Sequence, residues 1–456
     1  MYAKWKQEVG DPLLPHDWPP RARIGINGFG QITRLLVRCA IADKRGLDVV
    51  AINAPGITPE QLIYMIKYDS QYGPCPGVVS NKVEMIKPDK NTPPCLFIEV
   101  CGRKIAYFDK KCPNLIPWQW LNVEYVIETN PTVKTLGMAE AHLRGGRARK
   151  VIVTGDTVDI PVMIYPISYK SFQRGTSIIS AGSPHAMALA TILYLLHKQF
   201  GIRDCMTSIT SSYIDTQRTV DGPCESEWRM GRGAFQSIIP MPCNSILQTV
   251  LQAIPRLRGK LSLTGFSVPT ATGSVADLTC SFSNNVPSVK ELVKALKEGN
   301  VLRNLENMHE KCQPGWLLQY WCPEEMDGLK KHLPKIECTV KTDPKPEFHL
   351  PTFSEDESPR QKPARQMVKK EPTSPRFFAE QAKERPTPVL EIWEEDHLGV
   401  SADVKAAPCM AILDANSCLA VDNGSLMKII SWYDKDMSYC LRIMDTIVFM
   451  RHIDHS

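Results

Sequence analysis

The sequence predicts an α/β domain followed by an α+β domain, and three observations support this prediction. Close to the amino terminus, two short apolar runs flank a glycine-rich turn and a helical stretch, over residues 22–53. Farther on, the apolar runs at 123–129 and 150–154 are typical of strands that a parallel sheet buries on both faces. After the middle of the chain, β-rich segments separated by turns follow at 206–213, 261–268 and 274–282. We therefore expect a doubly wound sheet first and a second, α+β unit after it.

The glycine-rich turn has the layout of a Rossmann dinucleotide-binding unit. Gly28 and Gly30 separate the strand predicted at 21–27 from the helix predicted at 33–42. Glycines at these points permit a tight turn and let a pyrophosphate approach the backbone at the helix N-terminus. The pattern is typical of a dinucleotide-binding fold; the alternative interpretation is that the glycines only turn the chain, and the missing ribose contact favours it over retained binding. The candidate cofactor-binding residues are Asn27, Gly28, Gly30, Gln31 and Ile32.

Two positions depart from the Rossmann pattern. Thr33 stands where the pattern has its last glycine. The second predicted strand, 47–53, is followed by Ala54, so the acidic residue that would hold a ribose hydroxyl is absent. We expect the fold to be kept at this turn and the directed ribose contact to be lost.

Length, composition and charge exclude several classes of protein. The chain has 456 residues of ordinary globular composition, long enough for two domains. A net charge of +5 without a long basic stripe argues against a dedicated nucleic-acid binder. The 15 cysteines are scattered, without the paired spacing of a metal site, and no segment has the length of a membrane span or the pattern of a signal peptide. We expect reduced thiols, no metal and a cytoplasmic location.

Composition also divides the chain into segments. Residues 1–20 are expected to be a disordered leader. Proline and charge dominate 308–388, which is predicted to be a largely disordered insertion. We expect a Rossmann-type domain over 21–182, completed by a C-terminal helix at 437–456, and a catalytic-type domain over 183–307 and 389–436.

The stretch 177–196 is the most informative part of the sequence. It predicts the end of a buried strand, a small-residue turn, and a helix with Ser183 as N-cap and Pro184 at the first helical position. A helix N-terminus lowers the pKa of a thiol and favours a developing anion. No thiol is present at this helix start, because Pro184 has neither a nucleophile nor a backbone N–H.

Nine short segments occur in a characteristic order along the chain: 24–30, 49–53, 68–70, 141–146, 219–223, 228–234, 238–240, 268–270 and 431–434. Through them the sequence resembles the glyceraldehyde-3-phosphate dehydrogenase family over about residues 21–300 and 389–450. This resemblance implies a Rossmann domain, a catalytic domain with an antiparallel sheet, and a C-terminal helix that returns to the first domain. It also implies NAD as the cofactor and a homotetramer in which a Cys thiolate attacks an aldehyde, a His acts as base, and hydride passes to NAD.

Aligned by this resemblance, the catalytic positions are lost. Pro184 occupies the position of the nucleophilic Cys, and Ala188 that of the family's second Cys. The base position falls on Thr210 or Ser211, depending on where a one-residue insertion is placed, and neither is a base near neutral pH. No catalytic residue is therefore intact.

The ligand positions implied by the resemblance have changed as well. The arginine of one phosphate site is Ser267, and the loop of the other has become Pro-Cys-Asn-Ser at 242–245. Lys435 stands where the family has an Asn that contacts the nicotinamide, and Ala54 where it has the ribose Asp.

Other residues near these positions are weaker candidates. Ser183 and His185 are a nucleophile–base pair by type, although neighbours at a helix start point in different directions, so an N-cap and a polar first-turn residue are the simpler interpretation. Among four further cysteines, Cys243 is the first to test, because it lies in the former phosphate loop. Arg229 and Arg232 are expected to be solvated or interface charges. The other three cysteines are Cys205, Cys224 and Cys280.

These observations predict a dehydrogenase-like protein of glycolytic ancestry that is a catalytically inactive scaffold. The expected partners are further copies of this chain or dehydrogenase relatives, with neither nucleic acid nor membrane. The alternative is an NAD(P)-dependent aldehyde oxidoreductase whose catalytic residues have moved elsewhere in the chain.

Overall fold

The computed structural model describes residues 21–43, 46–75, 77–86, 95–214, 217–225, 227–284, 286, 288–299, 389–421 and 424–455. The predicted leader at 1–20 and the predicted insertion at 308–388 lie outside these ranges.

The first sheet has eight strands, and its central part is the predicted doubly wound parallel sheet. The spatial order is β3-β4-β5-β2-β1-β6-β7-β8. The last six strands of this order are parallel to one another, and β3 and β4 extend the sheet with antiparallel pairs. The strands are β1 (Ala22–Asn27), β2 (Leu47–Asn53), β3 (Val79–Ile86), β4 (Cys95–Val100), β5 (Arg103–Phe108), β6 (Tyr125–Glu128), β7 (Lys150–Val153) and β8 (Ile178–Ser180).

The strand order reverses at β1, which lies between β2 and β6. In doubly wound sheets, ligands bind outside the carboxyl ends of the strands at such a reversal. The residues after β1, β2 and β6 therefore form the edge where a dinucleotide would lie. This arrangement confirms the predicted Rossmann architecture.

Helices connect these strands. The helix predicted at 33–42 begins two residues earlier, at Gln31, directly after the glycine turn. The segment 136–144 consists of two short helices that meet at Glu140, whose carbonyl accepts hydrogen bonds from Leu143 and Arg144. The helices are α1 (Gln31–Ala42), α2 (Pro59–Lys67), α3 (Leu136–Ala139) and α4 (Ala141–Arg144).

The second sheet follows the long helix α5 (Pro184–Phe200) and has the order β10-β11-β9-β12-β16-β14-β13. The central pairs β9–β12, β12–β16 and β14–β16 are antiparallel, as predicted, whereas β11–β9 and β13–β14 are parallel. The strands are β9 (Ile202–Ser212), β10 (Ile239–Pro240), β11 (Leu261–Val268), β12 (Ser274–Phe282), β13 (Leu390–Trp393), β14 (Ala411–Asp414), β15 (Leu419–Ala420) and β16 (Met427–Tyr433).

Three helices complete this part: α6 (Asn244–Ala253), α7 (Val289–Glu298) and α8 (Met437–His455). Helix α8 returns to the first sheet and packs against α1, as the resemblance implies. Near its end, the Asp454 carboxylate accepts a hydrogen bond from Tyr125 (3.0 Å) and pairs with Lys150 (2.9 Å). None of the helices in the described ranges has the length and apolar content needed to cross a bilayer.

Candidate functional site

The start of helix α5 is built by a strand, a glycine turn and a serine cap. Strand β8 ends at Ser180, and Gly182, with a φ of +72°, turns the chain toward the helix. The Ser183 hydroxyl then accepts a hydrogen bond from the Ala186 backbone N–H at 3.2 Å, as an N-cap residue does. Pro184 is the first helical residue. The N-cap at Ser183 and the helix start at Pro184, both predicted from the sequence, are therefore confirmed.

An acidic side chain lies against this helix start. The Asp156 carboxylate accepts a hydrogen bond from the Ser183 backbone N–H at 3.1 Å. Burial raises the pKa of Asp156, and hydrogen bonds that include those from Ser183 oppose this rise. A helix N-terminus attracts negative charge, so Asp156 supplies from the protein itself the anion that this position favours.

His185 is held in a network of hydroxyl groups. Its Nδ1 lies 2.9 Å from the Tyr433 hydroxyl, and its Nε2 lies 3.4 Å from the Ser211 hydroxyl. The Ser274 hydroxyl donates to Ser211 at 3.3 Å. Burial, and then the positive charge of Lys435, lower the pKa of His185 to about 3. The imidazole is therefore neutral at physiological pH.

Of the two candidates for the base position, Ser211 faces the start of α5. Successive side chains of a strand point to opposite faces, so Thr210 and Ser211, which are neighbours on β9, point in opposite directions. Only Ser211 contacts His185, and it is fully buried. Its hydroxyl donates to the carbonyl of Ser212 at 2.9 Å. The side chain at this position is thus closed off from solvent.

Ser183 and Cys243, two of the relocated nucleophiles considered from the sequence, are not activated. The Ser183 hydroxyl caps α5 while the His185 ring contacts Tyr433 and Ser211, so the two do not act as a pair. Cys243 is buried, its Sγ lies 3.4 Å from the Met241 carbonyl oxygen, and burial raises the pKa of its thiol. A catalytic thiol needs a lowered pKa.

The remaining candidates around this region are engaged elsewhere. Arg229 pairs with Glu227 at 3.1 Å and Arg232 with Asp221 at 3.0 Å, both at the protein surface. The Ser267 hydroxyl donates to the Gln217 side chain at 2.8 Å and is buried. No described side chain among these offers the free cation that a phosphate group needs.

The start of α1 lies at the cofactor edge, which is the edge formed by the residues after β1, β2 and β6. It is open, unlike the start of α5. Gly28 has a φ of +102°, and a side chain there would clash with Thr129. Gly30 is the N-cap residue, no side chain caps the helix, and a Cβ on Gly30 would have no atom within 4 Å. The N–H groups of the first turn, at Gln31 and Ile32, follow this open position. The cradle fits a pyrophosphate.

Thr33 and Asn27 are held within the protein at the same edge. The Thr33 hydroxyl donates to the Gly28 carbonyl at 3.1 Å, so a side chain is accommodated where the Rossmann pattern has glycine. The Asn27 amide donates to Glu128 at 2.6 Å, and its carbonyl oxygen accepts from Asn53 at 2.7 Å. Asn27 therefore orders the ends of β1, β2 and β6 rather than pointing freely outward.

Other side chains occupy the positions that the resemblance assigns to the ribose and nicotinamide contacts. Ala54 is fully buried and has no polar side chain. Asp109, after β5, is the nearby acidic residue, and its carboxylate accepts from the Gly56 N–H at 3.0 Å. Lys435 Nζ donates to the Tyr213 carbonyl at 2.5 Å. The pyrophosphate cradle thus fits NAD, while the directed contacts to its two ends have changed.

Sequence reasoning missed Asp156 and Tyr433. Asp156 follows β7, and Ser183 follows the neighbouring parallel strand β8. The one signal for their contact was that the carboxyl ends of these two strands lie at the same edge of the sheet. Tyr433 lies in a segment used only for the resemblance. Among the described residues, no group of three or more His, Cys, Asp or Glu side chains is arranged to hold a metal ion.

Comparisons with known proteins agree with this architecture. Residues 22–136 match the family model described as glyceraldehyde 3-phosphate dehydrogenase, NAD binding domain, and residues 183–309 match its C-terminal domain. The first of these matches covers the cradle at α1, and NAD is the cofactor of that domain.

Three relatives illustrate the range of similarity. A glyceraldehyde-3-phosphate dehydrogenase of Schistosoma mansoni is 29% identical over 96% of this chain and 99% of its own length. One of Podospora anserina is 35% identical over 61% of this chain and 78% of its own length. A chloroplastic one of Arabidopsis thaliana is 36% identical over 61% of this chain and 63% of its own length, so the match spans less than two thirds of that relative.

Proposed function

The chain belongs to the glyceraldehyde-3-phosphate dehydrogenase family, and from this premise we propose that it is an NAD-binding member that does not oxidise aldehydes and instead serves as a binding or oligomer scaffold. One observation carries the proposal. At the start of α5, Pro184 takes the position at which the family's nucleophile is expected, with the Asp156 carboxylate at the same helix end.

The chemistry of aldehyde oxidation explains why these changes are decisive. A thiolate must add to the carbonyl, and a base must accept a proton near neutral pH. Proline cannot do the first, and Ser211 cannot do the second. Because loss of one member of such a pair costs several orders of magnitude in rate, loss of both leaves no measurable turnover by this route.

The NAD part of the proposal is supported by the cradle at α1. Gly28 and Gly30 keep the turn, and the first turn of the helix is free of a side-chain cap. We expect the affinity for NAD to be reduced, because Ala54 offers no acceptor for a ribose hydroxyl.

The scaffold part is supported by an apolar face on the segment between β9 and α6. Four side chains of this face are largely exposed in the single chain: Val220 (69%), Trp228 (85%), Phe235 (53%) and Ile238 (69%). We infer that these exposed apolar side chains, which all belong to residues 220–238, form an interaction surface. We propose that this face, called the 220–238 face below, joins copies of the chain into a homotetramer or joins it to active dehydrogenase relatives.

We further propose a cytoplasmic location and a role connected with glycolysis. The reduced cysteines support the location, since none of those in the described ranges forms a disulfide. Family membership supports the metabolic setting.

Two measurements on the purified full-length protein test the proposal. With glyceraldehyde-3-phosphate, NAD and phosphate, we expect no formation of NADH above a blank without protein, with an active dehydrogenase as positive control. Turnover that survives replacement of Pro184 and is lost on Cys243→Ser would favour the alternative, an oxidoreductase with relocated residues. Calorimetric titration with NAD tests the binding claim; no heat of binding at millimolar NAD would contradict it.

A third measurement tests the scaffold claim. Light scattering should give a mass above that of one chain, and the double variant Val220→Glu, Trp228→Glu should give a monomer with an unchanged circular dichroism spectrum. Arg232→Gln, a nearby surface change, is the matched control. A monomeric parent protein, alone and mixed with an active relative, would refute it.

A further inference from the structure

The carboxylate of Asp109 lies beside the end of β2, although the residue itself follows the neighbouring strand β5. Phe108, the last residue of β5, is in register with Asn53, the last residue of β2, so Asp109 follows β5 as Ala54 follows β2. The Asp109 Oδ1 accepts a hydrogen bond from the Gly56 backbone N–H at 3.0 Å. The Rossmann pattern has its ribose-binding acid at the end of the second strand, where this chain has Ala54. A carboxylate from β5 therefore reaches the strand end that lacks one.

Hydrogen bonds on both sides of Asp109 hold the end of β5 against the end of β2. Before it, the Ala54 N–H donates to the Phe108 carbonyl at 2.9 Å. After it, the buried side chain of Asn53 contacts the Lys110 backbone twice: its amide group donates to the carbonyl, and its oxygen accepts from the N–H, each at 2.9 Å. The backbone that carries Asp109 is thus fixed before any ligand arrives, which lowers the cost of ordering this group on binding.

The space beside this carboxylate is open. Gly56 has a φ of +78°, and a Cβ on it would meet no atom within 4 Å. Asp109 and Gly56 are both exposed. Within the described part of the chain, the hydrogen bond to Gly56 uses Oδ1, and Oδ2 makes none. A carboxylate oxygen accepts hydrogen bonds from hydroxyl groups, so Oδ2 is available to a ligand at the cofactor edge.

The other charges around this strand end have both signs. Glu60, in the first turn of α2, is a second exposed carboxylate, and its charge and that of Asp109 add to the effect of burial in raising the pKa of Tyr107. Lys110 and Lys111 follow directly in the chain and are exposed. Among the described contacts of these four charged side chains, only that of Asp109 is made to the backbone after β2. Asp109 is therefore the charge that is fixed at the end of β2.

We propose that Asp109 determines the cofactor specificity of this chain: its carboxylate replaces the missing acid of β2, accepts a hydrogen bond from the 2′-hydroxyl of the adenosine ribose, and favours NAD over NADP. The inference rests on the NAD-binding part of the proposed function. NADP carries a phosphate group on that hydroxyl, and a fixed carboxylate repels it by like charge. Because Gly56 engages one of the two oxygens, the ribose contact is weaker than one made by a free carboxylate. This agrees with the reduced NAD affinity expected above.

The two lysines would give the opposite preference. If Lys110 and Lys111 governed this end of the cofactor, their ammonium groups would attract a 2′-phosphate and the chain would favour NADP. The structure favours the carboxylate, because Asp109 is bound at the end of β2, whereas no hydrogen bond or ion pair in the described ranges directs either ammonium group there. The preference between the two dinucleotides therefore separates these interpretations.

The test titrates the full-length protein with NAD and with NADP in a calorimeter. The parent protein should bind NAD about 10-fold more tightly than NADP, or more. Asp109→Asn keeps an oxygen for the Gly56 N–H and removes the charge, so this preference should fall to about twofold or less. Asp109→Glu retains the charge and should retain a preference for NAD. Glu60→Gln, the matched control, removes the same charge from the neighbouring surface and should leave the ratio of the two Kd values unchanged.

A second titration isolates the ribose from the nicotinamide end of the cofactor. Adenosine 5′-diphosphate and adenosine 2′,5′-bisphosphate should show the same order of affinities in the parent protein and the same response to Asp109→Asn. A parent protein that binds NADP as tightly as NAD, or equal changes in Asp109→Asn and Glu60→Gln, would overturn the inference while NAD binding stands. If the parent protein binds neither dinucleotide, the inference and the NAD part of the proposed function both fail.

Discussion

The starts of helices α1 and α5 follow the same plan, yet one is open and the other is filled. Each helix follows a strand of the first sheet and a turn with a glycine of positive φ, Gly28 or Gly182. At α1 the N-cap is Gly30, and no side chain occupies the end of the helix. At α5 the N-cap is Ser183, which holds its own helix and also binds Asp156.

This difference separates two functions that an active dehydrogenase needs together. An open helix start can receive a phosphate group from outside, whereas a filled one has satisfied its donors within the chain. The chain therefore keeps a place to hold a dinucleotide and lacks a place for a reacting carbonyl. The substitutions below test this contrast.

The largest effect is expected for Gly28→Ala, compared with Gly30→Ala. At Gly28, a side chain would have a strained φ and would clash with Thr129, so we expect a loss of about 3 kcal/mol in the free energy of unfolding. At Gly30, where a Cβ meets no atom, stability should change by less than about 0.5 kcal/mol. Urea denaturation measures both changes.

Gly30→Ala also tests the cofactor cradle without unfolding the protein. Its Cβ lies where a pyrophosphate would approach, so NAD affinity by calorimetry should fall about 10-fold or more. If Gly30→Ala binds NAD as tightly as the parent protein, the cradle at α1 is not the NAD site.

The next largest effect is the contribution of His185 to the loss of stability at acidic pH. Its pKa is about 3 in the folded protein and 6.5 in an ordinary environment, so between these values the unfolded chain binds one more proton, and stability falls as the pH is lowered from 6.5. In His185→Gln this contribution is absent. We expect the variant to lose about 2 kcal/mol less than the parent protein between pH 7 and pH 4.

The control for His185→Gln is the partly exposed His197, whose pKa is also lowered, with a smaller burial. His197→Gln should show a smaller difference between the two pH values. An identical acid sensitivity in the parent protein and His185→Gln would mean that the imidazole is not held neutral by the network around Tyr433.

A smaller effect on the free energy of unfolding is expected for Asp156 and Asp69, and its sign is opposite for the two carboxylates. The raised pKa of Asp156 means that its stability cost appears as the pH rises above 3.8, so Asp156→Asn should be more stable than the parent protein at pH 7. The pKa of Asp69 is lowered, chiefly by the N–H groups of Tyr72 and Gln71 against the opposing effect of burial. Its stabilisation is present above pH 3.8 and is lost as the pH falls through the lower folded value.

Asp69→Asn should therefore be less stable at pH 7, in thermal unfolding under the same conditions. Should Asp156→Asn prove strongly destabilising, its carboxylate would be an essential cap of α5 rather than a group that burial disfavours.

The smallest effect is expected at the surface arginines. Arg229→Gln and Arg232→Gln each break an exposed ion pair, so the melting temperature should not change measurably. Phosphate added to the parent protein or to either variant should give the same melting temperature. Protection by phosphate that disappears in one variant would reveal an anion site there.

The sequence was sufficient for most of the architecture. The apolar runs that became β2, β6 and β7 are buried on both faces, so their pattern was clear. Periodicity was less informative at helix ends: α1 starts at Gln31 because the turn closes at Gly30, and a helix pattern alone did not fix that point. The mixed second sheet could not be anticipated, because parallel and antiparallel neighbours have the same alternation of side chains.

The site was only partly predictable, because some of its contacts join residues that are far apart in the sequence. Ser183 and Pro184 were identified correctly as cap and first helical residue, because capping depends on local sequence. The contact of His185 with Tyr433 joins residues 248 positions apart, and that of Asp156 with Ser183 joins residues 27 apart. Such contacts carry no local signal.

The last turn of α8 has a consequence for how the protein is made. Asp454 supplies the partner of buried Lys150 and of Tyr125, which both belong to the first sheet. While the chain is being synthesised on the ribosome, neither group has this carboxylate partner until residue 454 has left the exit tunnel. Part of the first sheet is therefore completed only after the second sheet has been made, and chaperones have a long interval in which to meet the unfinished sheet.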